Sequence, residues 1–177
     1  MARPMACTPP SSVTSGNFMP AVDQLAILQK TWDGLKHLPG GGLIMGRIVG
    51  RLAPYTGTIK PEVVELRRGY GCVQMKDRKK VRNHLQSIHA IALMNLAEAC
   101  SGLAFTYSLP ERTRAILTGL EIEYVKKARG TLTAECYCMI PETNERSEYE
   151  LEVVTRDASG DVVTRANAHW LVGPLDK

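Results

Sequence analysis

Aromatic side chains are scarce in this sequence. Phe, Trp and Tyr make up 6% of 177 residues and only two are Phe, so no aromatic cluster marks a pocket for an aryl ligand. Paired cysteines are missing as well. Cys7, Cys72, Cys100, Cys136 and Cys138 are odd in number, contain no C-x-x-C pair and mostly lie in apolar segments, which argues against a disulfide framework. They read as reduced, core-filling thiols in a cytoplasmic compartment. No four-ligand set is visible, so neither a metal nor a cofactor is expected. The first 20 residues lack the apolar run of about 7 to 15 residues that a secretory signal needs, and with Arg3 as their one charge they support a mitochondrial presequence only weakly. Excess positive charge is equally absent over most of the chain. The net +4 resides in residues 76–82, which hold five basic residues and one acid, leaving 17 of each sign elsewhere. A broad basic face for nucleic acid is excluded.

What remains suits one domain with a sizeable core. The Pro-, Ser- and Thr-rich stretch 1–20 reads as a disordered tail. Leu25, Leu28, Trp32 and Leu35 form one helical stripe over about Ala21–Leu38, ended by Pro39-Gly40. Leu43–Leu52, with Gly42, Gly46 and Gly50 at intervals of four, reads as a short helix or a connector, because each interior glycine costs about 1 kcal/mol. Residues 21–52 thus form an N-terminal helical segment ahead of a main domain at 53–174. Ile59–Lys76 reads as a hairpin turning at Arg68-Gly69. After a basic loop comes an apolar helix, 88–108. A membrane span is rejected there because His89, Asn95 and Glu98 interrupt it, and a central acid costs about 2.5–3.5 kcal/mol in a bilayer. Period-two alternation then marks four strands, with turns at Arg129-Gly130, Pro141–Ser147 and Ser159–Asp161.

A helix apolar nearly all round must be enclosed. Two strands precede it and four follow, so the expected architecture is α+β: an antiparallel sheet wrapped around a central helix, with an extra N-terminal helix, the hotdog fold. On that helix Glu98 stands among Leu96, Ala97, Ala99 and Cys100. Desolvation would raise its pKa and suit it to general-base work, although it equally suits a polar strip with Asn95 and Ser101. His89 falls in the first turn, where free N–H groups can meet a developing oxyanion. Nine residues separate His89 from Glu98, about 13 Å along a helix and about 180° around it. If both act on one substrate, a two-fold partner must bring them together, which asks for a homodimer, or a tetramer built from it, with composite sites.

Asn83, His89 and Glu98 at this spacing resemble the Asn…His-Gly-Gly…Asp/Glu signature of hotdog acyl-CoA thioesterases of the phenylacetate-degradation type. Tyr124–Ala134 resembles that family's Tyr-x-x-x-Ala-x-Gly-x-Leu-x-Ala strand pair, and Ala53–Gly57 with Asn83-His84 and His89–Leu93 resembles a less characterised branch. The resemblance implies that Glu98 is the base or nucleophile for thioester hydrolysis, that Asn83 and His89 orient the thioester or water, and that the backbone N–H of Ala90, where the family has Gly, faces the oxyanion. It further implies phosphate contacts from Arg78, Lys79, Lys80, Arg82, Lys126 and Lys127, with His84 also on the substrate side. Two alternatives accompany this reading. One is a hydroxyacyl thioester dehydratase pairing His84 with Glu98, though that family's Gly-His-Phe-Pro signal is absent. The other is a non-catalytic acyl-CoA-binding protein.

Overall fold

The computed structural model describes residues 21–175, with side chains from Ala26 onward; the expected tail at 1–20 and the side chain of Leu25 lie outside the described residues. Three helices come first: α1 (Ala21–Leu35), α2 (Gly41–Leu52) and the single turn α3 (Pro54–Gly57). The hairpin β1 (Glu62–Arg67) and β2 (Tyr70–Met75) leads through a 3-10 turn at Lys79–Val81 to α4 (Ala90–Ser108). Strands β3 (Thr113–Tyr124), β4 (Leu132–Tyr137), β5 (Ser147–Arg156) and β6 (Val162–Pro174) follow.

All six strands form one antiparallel sheet in the order β1-β2-β4-β5-β6-β3. It curls around α4, of whose 19 residues 12 are buried. Small side chains let the helix reach the sheet. The Cys100 thiol touches the carbonyl oxygens of Gly71 (3.5 Å) and Ala134 (3.4 Å), and a Cβ on Gly71 would collide with Ala104. Towards β5 and β6 the gap is wider, and Phe105 fills it, with ring centroids 5.1 Å from Tyr149 and 6.2 Å from Trp170. Ser101 and Ser108 are fully buried and return their hydroxyls to the carbonyls of Glu98 and Ala104, so they add no unsatisfied polar group to the helix. The enclosed helix and the α+β hotdog architecture therefore stand as the hydrophobic pattern predicts.

The N-terminal helices join the same core through Trp32, Met45 and Val49. Trp32 is 3% exposed and its indole N–H donates to Leu66 O at 2.7 Å, while the Tyr107 hydroxyl, at the far end of α4, donates to Asp33 at 2.8 Å. Helix α1 stops at Leu35, short of the expected end at Leu38. The glycine repeat in α2 is a packing device: a Cβ at Gly42 would overlap the carbonyl oxygen of Val63, and one at Gly46 that of Pro61. The helix accepts the propensity cost because its backbone lies directly on the start of β1.

One connection differs from its sequence reading. Arg129-Gly130 does not join neighbouring strands, because β3 pairs with β6 at the sheet edge and β4 lies on the other side of β5. Alternation reports which face a side chain takes and carries no information on which strand lies beside it. Segment 125–131 is a crossover under the start of α4, held by Ile88 N–H to Ala128 O (2.9 Å) and by Gly130 N–H to the Asp77 carboxylate (3.1 Å).

Gly46→Ala is expected to destabilise the protein by about 1–3 kcal/mol, since backbone must move to admit the methyl group. Gly34→Ala, exposed in α1 with nothing within 4 Å of the added Cβ, should be neutral or stabilising by up to about 1 kcal/mol. Denaturant midpoints of the two variants check the opposite signs.

Candidate active site

The site begins with a loop closed on itself. Asn83 Oδ1 accepts from the N–H of Leu85 (2.9 Å), the N–H of Ser87 (3.3 Å) and the Ser87 hydroxyl (3.1 Å), an Asx-type closure that replaces backbone partners for the turn. His89 N–H then bonds Val81 O at 2.8 Å and sets the position where α4 starts. His89 is the N-cap: its Nδ1 accepts from Ile91 N–H at 3.1 Å, leaving Nε2 to carry the ring proton outward. With that donor consumed and the N–H groups of Ala92 and Leu93 bonded to His89 O, Ala90 N–H is, among the described residues, the free donor at the positive end of the helix.

A groove of about 310 Å³ opens beside this helix end, lined by Tyr55, Ile59, Lys80, His89, Ile91 and Asn95 among others. Asn95 is 7% exposed, and its amide donates to Tyr55 O at 3.1 Å. Sequence patterning assigns Asn95 only to a polar helix edge shared with Glu98; the structure separates the two, burying Asn95 at the groove. Tyr55 lies in the Ala53–Gly57 motif, which in sequence carries no role for any single residue.

Glu98 is partly buried and does not line this groove. Ile91, Met94 and Glu98 recur at spacings of three and four on the strip of α4 that the sheet leaves uncovered. The Glu98 carboxyl has no hydrogen-bond or ion-pair partner among the described residues, and burial alone pushes its pKa up. His89 and Glu98 remain separated by about 13 Å of helix rise. The groove brings His89 and Asn95 together, with Ala90 next to His89 in the chain, and leaves Glu98 apart.

The basic residues divide into two groups. Arg78 donates to Thr58 O at 2.9 Å, Arg82 pairs with Asp77 at 2.7 Å, and Lys126 bridges Asp157 and Asp161 at 2.7 Å each. These three hold loops in place. The Asp77 carboxyl is pushed down first by its Arg82 hydrogen bond and further by the Gly130 N–H, as an anchored structural acid should be. Lys79, Lys80, Lys127 and His84 are exposed, and of these Lys80 reaches the groove.

Residues 41–172 match the family described as Domain of unknown function (DUF4442). No curated protein matches the sequence. The crystal structure of genomics APC5556 is similar to it over 84% of this chain and 99% of that one, with 29% identity and a TM-score of 0.73. PA5026 from Pseudomonas aeruginosa, described as a protein of unknown function and probable thioesterase, is 22% identical over 77% of this chain and 97% of its own, with a TM-score of 0.67. A mutant of the thioesterase enzyme SAV0944 from Staphylococcus aureus is 14% identical over 69% of this chain and 100% of its own, with a TM-score of 0.62. These neighbours share the hotdog fold. With most of its length inside the family's span, the chain belongs to the DUF4442 family of hotdog-fold proteins.

Proposed function

We propose that this protein is an acyl-CoA thioesterase whose active sites are shared between two subunits. The observation that carries the reading is that one chain holds two incomplete halves set apart from each other: a helix end offering a free Ala90 N–H beside His89, and a desolvated carboxyl at Glu98 with no partner among the described residues. In the reaction, the thioester carbonyl lies at the helix end of one subunit. Glu98 of the other takes a proton from water, the water oxygen adds to the carbonyl carbon, and the oxyanion meets Ala90 N–H and the positive helix end. The carbon–sulfur bond then breaks, and the proton held by Glu98 passes to the departing thiolate. Asn83 acts through the loop it closes and is a positioning residue. The chemistry asks for no cysteine nucleophile, and the free thiols Cys72, Cys100, Cys136 and Cys138 suit a reducing, cytoplasmic setting.

The dimer is supported by β3. It is a twelve-residue edge strand, and among the described residues nothing pairs with its outer side. Long edges of this kind invite a second strand, and a two-fold copy of β3 is the self-complementary choice. The Tyr124 hydroxyl at the end of β3 donates to Ala90 O at 3.3 Å, so an edge-to-edge pair sets the partner beside the start of α4.

Glu98→Gln should lower turnover of acyl-CoA by about 100-fold to 10,000-fold while the dimer persists, measured by thiol release with a thiol-reactive dye. Undiminished release would move the chemistry elsewhere. Subunit exchange between His89→Ala and Glu98→Gln dimers should recover one working site per heterodimer, whereas exchanged but inactive heterodimers would rule out shared sites.

The raised pKa of Glu98 also has a stability consequence with a definite sign. An acid whose pKa is higher in the folded than in the unfolded chain favours folding at acid pH, and that contribution is lost as pH rises from the ordinary glutamate value of about 4.3 through the raised one. Glu98→Gln should therefore melt higher than the wild type at neutral pH, with the gap closing below about pH 4. Equal melting temperatures across that range would mean that Glu98 is solvated.

A further inference from the structure

A second groove, of about 330 Å³, lies between α2 and the segment that follows α3, and three cations border it: Arg47, Arg51 and Lys60. All three are exposed, and among the described residues none enters an ion pair or a side-chain hydrogen bond. Two features of their arrangement carry a local cost. Arg47 and Arg51 stand one helical turn apart, where like charges repel. Lys60 occupies a left-handed backbone conformation, φ 50°, which few residues other than glycine or asparagine adopt without cost. Between them the lining is the glycine main chain of Gly46, Gly50 and Gly57, with Leu43 and Pro61 at its side. A glycine-lined groove bordered by three uncompensated cations suits a phosphate ester or diphosphate, since guanidinium groups form charge-assisted, bidentate bonds to phosphate oxygens.

The groove is also next to the candidate active site. Tyr55, Thr58 and Ile59 line the groove at the start of α4, whereas Gly57, Lys60 and Pro61 line the cationic one. The main chain of segment 55–61 is the wall they share. By contrast, the basic loop has Arg78 and Arg82 already committed to Thr58 O and Asp77, leaving Lys79 and Lys80.

We propose that Arg47, Arg51 and Lys60 hold the phosphate groups at the nucleotide end of a coenzyme A thioester whose acyl end lies beside His89 and Ala90. This assignment rests on the thioesterase reading for the identity of the ligand. The phosphate charge stays far from the reacting carbonyl, so the cations bind ground state and transition state alike and act on KM rather than kcat.

The test titrates free coenzyme A, and separately inorganic pyrophosphate, into the full chain and into Arg47→Gln/Arg51→Gln/Lys60→Gln, with the loop variant Lys79→Gln, whose side chain is exposed and does not line the groove at His89, as the comparison. The triple variant should bind coenzyme A about tenfold or more weakly and lose most of the salt dependence, while the loop variant stays within about twofold of the wild type. Turnover should show the same rise in KM for acyl-CoA with kcat nearly constant. If Lys60 proves necessary for folding, Arg47→Gln/Arg51→Gln alone should still weaken binding several-fold. Binding by the triple variant equal to wild type, transfer of the loss to the loop variant, or no binding of either probe by the wild type overturns the site. Should the triple variant lose binding to phosphatidylglycerol vesicles and keep its affinity for coenzyme A, the phosphate source is a lipid headgroup and the assignment falls. Wild-type protein that binds coenzyme A through these cations yet hydrolyses no acyl-CoA would sink the thioesterase reading and leave the phosphate site standing.

Discussion

The burial of α4 is the constraint from which the rest of the structure follows. A helix carrying Leu93, Leu96, Leu103 and Phe105 on several faces has no stable position at a surface, and its backbone satisfies its own hydrogen bonds, so it can be sheathed in apolar side chains without further polar partners. A single antiparallel sheet can do this only by curling. Gly71 at the closest approach and Phe105 at the widest set the distance between the two layers. The N-terminal helices then close what the sheet leaves open, and the glycines of α2 permit that closure at backbone distance.

Enclosing the helix has a chemical by-product at its ends. Its first N–H groups cannot be satisfied from within, so the N-terminus must meet a cap, solvent or a ligand. Here the His89 ring takes Ile91 N–H and leaves Ala90 N–H open beside a groove, while the loop before it is locked by Asn83 and by the crossover at Ala128 and Gly130. The same enclosure leaves one strip of α4 uncovered, and the acid on that strip, Glu98, is desolvated enough for its proton affinity to rise. The two groups that enclosure leaves without a partner, Ala90 N–H and Glu98, are the two that the proposed reaction uses.

Charge follows a different logic from the one the linear sequence implies. Residues 76–82 look like an anion site because basic residues are adjacent in the chain, but adjacency in the chain also brings Asp77 within reach of Arg82, and the fold brings the 58–60 turn within reach of Arg78. Arg47, Arg51 and Lys60 are dispersed in sequence and stand outside the one basic run. They converge because α2 packs against the main chain beyond α3.

Hydrophobic periodicity determined the central helix, the six strands and their wrapping, because burial acts on every residue of an element and so writes a repeating pattern. The spacing of His89 and Glu98 determined that one chain cannot bring them together, because helix rise per residue is nearly invariant. Only the tertiary structure decided that the 125–131 link crosses the sheet, that Asn83 closes a loop, that Asn95 and Tyr55 share a groove with His89, and which cations are left unpaired. Each of these depends on single contacts rather than on a property repeated along an element. A lone contact leaves no period behind, so nothing in the one-dimensional pattern records it.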